Sequence, residues 1–104
     1  MDDKKYKLRF LPLFEVDLTE IVEYISQDLM NPDAAEKLVT EIQAAIRKRL
    51  DHPESFEQYH SKKERKYPYY RIYVGNYTVY YVVIDDVMEV RRILYRRRNV
   101  TMQI

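Results

Sequence analysis

From Tyr69 to Tyr95 the chain reads YYRIYVGNYTVYYVVIDDVMEVRRILY, three runs of aromatic and β-branched residues interrupted only by Gly75-Asn76 and Asp85-Asp86. Residues of these types at period two fit a pleated, half-buried surface. A Gly-Asn or Asp-Asp pair between such runs gives the backbone a place to reverse. The stretch therefore predicts three antiparallel strands in a meander, 69–74, 77–84 and 87–95. A meander has an apolar face that must be buried, so the rest of the chain has to supply its cover.

That cover is legible as a change of period. YKLRF (6–10) alternates and is followed by Pro12, which fits a short strand ending at a turn. From Leu13 onward Leu18, Ile21, Val22, Ile25 and Leu29 fall at helical spacing, with Glu15, Asp17, Glu20 and Glu23 on other faces. Asn31-Pro32-Asp33 then restarts the chain. Asn31 is a capping residue, Pro32 suits a first helical position, and Asp33 and Glu36 complement the positive end of the helix dipole. The second apolar line, Ala35, Leu38, Ile42, Ala45 and Ile46, runs to about Leu50 and stops at Asp51-His52-Pro53. Residues 53–68 carry Pro53, Pro68 and the run KKERK without sustained periodicity, and are read as a surface loop. The predicted fold is α+β. An N-terminal strand precedes an antiparallel two-helix hairpin, which packs on a mostly antiparallel four-stranded sheet in the order β-α-α-β-β-β.

At 104 residues the chain is read as a single domain, 1–104, because two halves would each be too short to bury a core. The absence of cysteine excludes disulfides, thiolate metal sites and a thiol nucleophile. His52 and His60 lack ligand spacing, so neither a metal nor a cofactor is expected. MDDKKYKLRF has no apolar signal segment, and no run approaches the roughly 20 apolar residues that span a bilayer. A cytoplasmic protein without membrane contact is the expectation.

The net charge of +1 hides a division. Residues 1–60 hold 8 Lys and Arg against 13 Asp and Glu, net −5, while residues 61–104 hold 10 against 4, net +6. Eight of eleven tyrosines lie in the basic part. On the first strand of the meander Tyr69, Arg71 and Tyr73 share one face. Tyr70, Ile72 and Val74 share the other, and as the more apolar set they should meet the helices. Arg71 then points away from the core among tyrosines, and RRILYRRRN (91–99) adds Arg91, Arg92, Arg96, Arg97 and Arg98 at the end of the last strand. Arginines pairing with phosphates beside rings that stack on bases suit single-stranded RNA. The same arginines and tyrosines suit an acidic protein partner. Tyr95, flanked by cations, is a candidate general acid or base, because positive charge favours its phenolate. Filling a gap at the sheet's edge is the competing role. Glu64 among its lysines reads as an exposed ion pair, and His60 as an acid–base group without a visible partner.

The order of elements, DLTEIVEYISQDLMNPDAAEKLVTEIQAAI (17–46), YYRIYVGNYTVYYVV (69–83) and VRRILYRRRN (90–99), resembles the RelE/ParE superfamily, the toxin halves of bacterial type II toxin–antitoxin modules linked with plasmid stabilisation. The resemblance covers nearly the whole chain. It implies a growth-inhibiting toxin held inactive by a cognate antitoxin that covers its basic surface, with operator DNA reached only through the antitoxin complex. RelE-like members cut messenger RNA in the ribosome without metal, whereas ParE-like members inhibit DNA gyrase. On the RelE pattern the catalytic set would be Tyr95, Arg71, Arg97 and Arg98. On either pattern Arg71, Tyr73, Arg91, Arg92, Arg96, Arg97 and Arg98 would meet the target or the antitoxin. One departure weighs against cleavage: Tyr77 is followed by Thr78, where RelE-like nucleases place an arginine. Phosphoryl chemistry depends on such placed positive charge. Together with the long NPDAA-bent hairpin, this inclines the reading to gyrase; a nuclease in which Arg91 or Arg92 supplies the missing charge, and an inactive module that serves only as a binding or operon-regulating partner, are the alternatives.

Overall fold

The structure, a computed structural model, describes residues 5–59 and 66–97. Its sheet grows from the two reversals noted above. Strands β3 (Tyr69–Val74), β4 (Tyr77–Ile84) and β5 (Val87–Tyr95) begin and end where the sequence breaks. Each hairpin turns on a first residue in the left-handed region, Gly75 at φ +56° and Asp85 at φ +56°. Strand β1 (Lys7–Phe10) lies parallel to β5, pairing Lys7 with Val87 through Phe10 with Val90. A short strand β2 (Gln58–Tyr59) pairs antiparallel with β3, giving the order β1-β5-β4-β3-β2. The sheet thus has five strands where four were expected, because two residues inside the presumed loop are enough to pair but too few to show a period.

The helices form as their caps dictate. Helix α1 (Pro12–Glu23) starts with Pro12 in its first turn and continues into a π-helical turn, Tyr24–Asp28. Met30 then adopts φ +50°, the left-handed position that ends many helices, and the Asn31 amide donates back to the Ile25 carbonyl. Helix α2 (Pro32–Arg49) is capped by the Asn31 side chain, which accepts from the Ala34 amide at 3.1 Å. Arg47, Lys48 and Arg49 close it against the negative end of the dipole.

Both helices lie on one face of the sheet. Phe14, Leu38, Ile42 and Ile46 from that layer meet Tyr70, Ile72, Val74, Val79, Tyr81, Met88, Val90 and Ile93 in one core. A second cluster, Tyr69, Tyr80, Val82 and Leu94, is buried on the opposite face. Arg49, at the end of α2, locks the layers together. It donates to the Arg71 carbonyl at 3.0 Å and to the Tyr81 hydroxyl at 2.9 Å, and stacks 3.5 Å over Phe56. The Tyr81 hydroxyl in turn donates to the Pro53 carbonyl at 2.7 Å. Among the described residues no helix is long and apolar enough to cross a membrane.

One irregularity decides where the end of β5 points. Along β4 and β5, Tyr81 faces Val90 but Tyr80 faces Arg92, so Arg91 has no opposite number and forms a β-bulge. An extra residue shifts the alternation by one. Met88 and Val90 face the helices, and beyond the bulge so does Ile93, whereas unbroken alternation would have put Arg92 and Leu94 there.

Candidate functional site

The bulge sends two adjacent arginines to different partners. Arg92 grips Asp17 of α1 with both ends of its fork, at 2.7 and 2.9 Å, and Asp17 also accepts the Ile93 amide at 3.1 Å. Arg91 donates to Glu89 at 2.8 Å and lies 5.8 Å from the Tyr69 ring. Arg9 of β1 reaches the same carboxylate with two nitrogens. Burial alone would raise the Glu89 carboxyl, but the hydrogen bonds from Arg91 and Arg9 outweigh it and hold the group below the ordinary carboxylate range. Two of the five arginines in RRILYRRRN therefore hold the fold together.

The remaining described cations behave differently. Arg71 projects from β3 away from the helices and lies 4.8 Å from the Tyr59 ring and 5.7 Å from the Tyr73 ring. Arg96 lies 4.4 Å over the other candidate contact, Tyr73, and donates to the Gly75 carbonyl at 3.3 Å. Neither Arg71 nor Arg96 has a carboxylate partner among the described residues. Tyr59, Arg71, Tyr73 and Arg96 thus form a ladder of alternating rings and guanidinium groups, with Tyr73 53% exposed. Their planar forks remain open to an anion while the rings support them. Beneath the ladder, burial pushes the Tyr80 hydroxyl up to about 12, against the opposing pull of Arg71. Arg97 is exposed, and Arg98 lies outside the described residues, as do His60 and Glu64.

Tyr95 does not belong to this ladder. Carried round by the bulge, it lies on the helix side, edge to face with Tyr77 at a centroid distance of 5.8 Å. It borders a cleft whose walls include Asp17, Glu20, Tyr24 and Leu29. Burial, then the neighbouring Tyr24 and Tyr95, raise the Tyr77 hydroxyl. The structure therefore brings Arg71, Tyr73 and Arg96 together, keeps Arg91 on the same face but engaged with Glu89 and Tyr69, and sets Tyr95 and Arg92 apart from them. Sequence reasoning missed Tyr59, which sits in the unforeseen strand β2. Thr78, where an arginine would mark a RelE-like nuclease, is buried on the ladder's face opposite Tyr73. Among the described residues no group of histidines and carboxylates could hold a metal ion.

A two-helix hairpin laid on one face of this mixed sheet is the architecture of toxin–antitoxin proteins of known structure. A chain of the chromosomal ParDE system from P. aeruginosa superposes with a TM-score of 0.72 at 15% identity, covering 88% of this chain and 97% of that one. A chain of the archaeal RelE–RelB complex from Pyrococcus horikoshii OT3 gives 0.53 at 19% identity, covering 90% and 98%. At such identities the likeness is one of fold. The sequence itself goes further: residues 8–100 match the ParE toxins of type II toxin–antitoxin systems, parDE, and the chain belongs to that family. No curated protein sequence matches it significantly.

Proposed function

We infer that the chain arrests growth as the toxin of its module, that a cognate antitoxin neutralises it, and that its target is DNA gyrase rather than messenger RNA. The observation that carries this reading is the separation of Tyr95 from Arg71. Cleavage by the 2′-hydroxyl needs a proton-transfer group and a phosphate-stabilising cation at one phosphate, each within hydrogen-bond reach. Tyr95 pairs with Tyr77, and Arg71 with Tyr80. They are two strands apart and three residues along, roughly 10 Å in each direction by ordinary strand spacing, and on opposite faces. One phosphate does not reach both. The buried Thr78 and the internal engagement of Arg91 and Arg92 support the same conclusion. With its antitoxin the toxin is expected to repress its own operon, contacting operator DNA only through that complex.

The ring-and-arginine ladder favours a second reading, contact with single-stranded message in a RelE-like manner. Purified toxin freed of antitoxin separates the two. It is assayed for inhibition of gyrase supercoiling and for cleavage of a translated message on ribosomes. Gyrase inhibition with intact message is the expected result. Message cutting that falls by roughly 10²–10⁴-fold in Tyr95→Phe would establish the nuclease reading instead. Unimpaired growth on expressing soluble toxin without antitoxin would overturn both.

A further inference from the structure

The cleft beside Tyr95 has a volume of about 560 Å³ and lies between the end of α1, the π-helical turn and the β3–β4 reversal. Three tyrosines border it: Tyr24 from the turn, and Tyr77 and Tyr95 from facing strand ends. Tyr24 is 51% and Tyr95 40% exposed, so these rings are open to a visitor. Two carboxylates share the wall. Asp17 is neutralised by Arg92, which bonds both of its oxygens. Glu20 makes no hydrogen bond or close ion pair among the described residues and only feels the field of Arg92, so two carboxylates share one guanidinium and the lining keeps a net negative charge. Arg96, next in the chain after Tyr95, is turned to the other face of the sheet onto Tyr73.

Ring faces and a net negative lining attract a cation, and an apolar rim suits the shaft and neighbours of a basic side chain. The surroundings reinforce this. Residues 11–36, which build α1, the turn and the start of α2, contain seven Asp and Glu and no Lys or Arg. An acidic or phosphate-bearing ligand is repelled from this side of the molecule. Leu29, 55% exposed, extends the apolar surface beyond what one inserted side chain covers, which calls for a peptide rather than a free small cation.

We propose that this cleft docks a segment of a partner protein that presents a basic side chain flanked by apolar ones, its cation seated among Tyr24, Tyr77 and Tyr95 against Glu20. The proposal does not depend on which target the toxin inhibits. It is tested on the full-length toxin by titration with three matched short peptides sharing the same leucines and carrying arginine, citrulline or glutamate at one central position. The arginine peptide is expected to bind roughly tenfold tighter than the citrulline peptide, the ratio a partly desolvated cation–π contact supplies, and the glutamate peptide more weakly still. Glu20→Gln and Tyr24→Ala, both at exposed positions, should each erase that preference, while Glu36→Gln on α2 should keep it. Equal binding of the arginine and citrulline peptides, or no binding of the arginine peptide, overturns the proposal. So does agmatine binding as tightly as the arginine peptide, which would make the cleft a small-cation pocket.

Discussion

Asp17 shows how much one side chain can decide. It sits on an acidic helix among residues that read as solvated charge, yet it is buried and satisfies both the Arg92 fork and the Ile93 backbone amide, which lies past the end of the β1 pairing. Removing its charge takes from half-buried Arg92 the carboxylate that holds both ends of its fork, so Asp17→Asn is expected to lower unfolding free energy by about 3 kcal/mol in urea titration. Glu20→Gln, one turn away and exposed, should change it by less than about 0.5 kcal/mol. Tyr80 makes a second test. An unfolded tyrosine loses its proton near pH 10, and the folded one at about 12. The stability that Tyr80 contributes below pH 10 should therefore fall as pH rises from 10 towards 12, by about 2–3 kcal/mol from this group alone. Tyr80→Phe should flatten much of that fall, although Tyr77 and Tyr81, both raised by burial, add to it in the same direction. None of these partnerships was legible in the sequence, because Asp17 and Arg92 are 75 residues apart and nothing local marks either as buried.

At the level of elements the sequence said more, and physics explains where it fell silent. β3, β4 and β5 were readable because long period-two runs ended at residues able to reverse the chain, and α2 because Asn31 caps it as such residues do. β2 was not, since two residues carry no period. The helix-hairpin connection holds a device that propensity would not choose: Met30, 84% exposed, in a left-handed conformation at φ +50°. Glycine adopts that conformation without strain, so Met30→Gly is expected to stabilise the fold by about 1 kcal/mol, read as a raised midpoint in thermal unfolding. The bulge was equally invisible. Strict alternation from Val90 puts Tyr95 on the same face as Arg71, and the extra residue at Arg91 turns it to the other. The expected gathering of cations and rings on one face keeps Arg71, Tyr73 and Arg96, and Tyr95 leaves it because of that single residue.

The molecule as a whole is electrically two-sided. The helical layer begins with a long stretch free of cations, while the opposite face of the sheet presents Arg71 and Arg96 on tyrosine rings and spends its Glu89 on Arg9 and Arg91. Such separation orients an approaching macromolecule before contact and weakens with salt. The double variant Arg71→Ala/Arg96→Ala should abolish growth arrest while shifting unfolding free energy by less than about 1 kcal/mol, since neither guanidinium holds a carboxylate. Arrest that persists in the folded double variant would remove the ladder from the target interface. The extra residue in β5 also bears on how this chain is compared with others. In any homologue that pairs the same two strands without it, the residue aligned to Tyr95 projects from the opposite side of the sheet. A column that looks like one substituted position then compares side chains that never occupy the same space, and functional roles copied along it change sides without any letter in the alignment showing it.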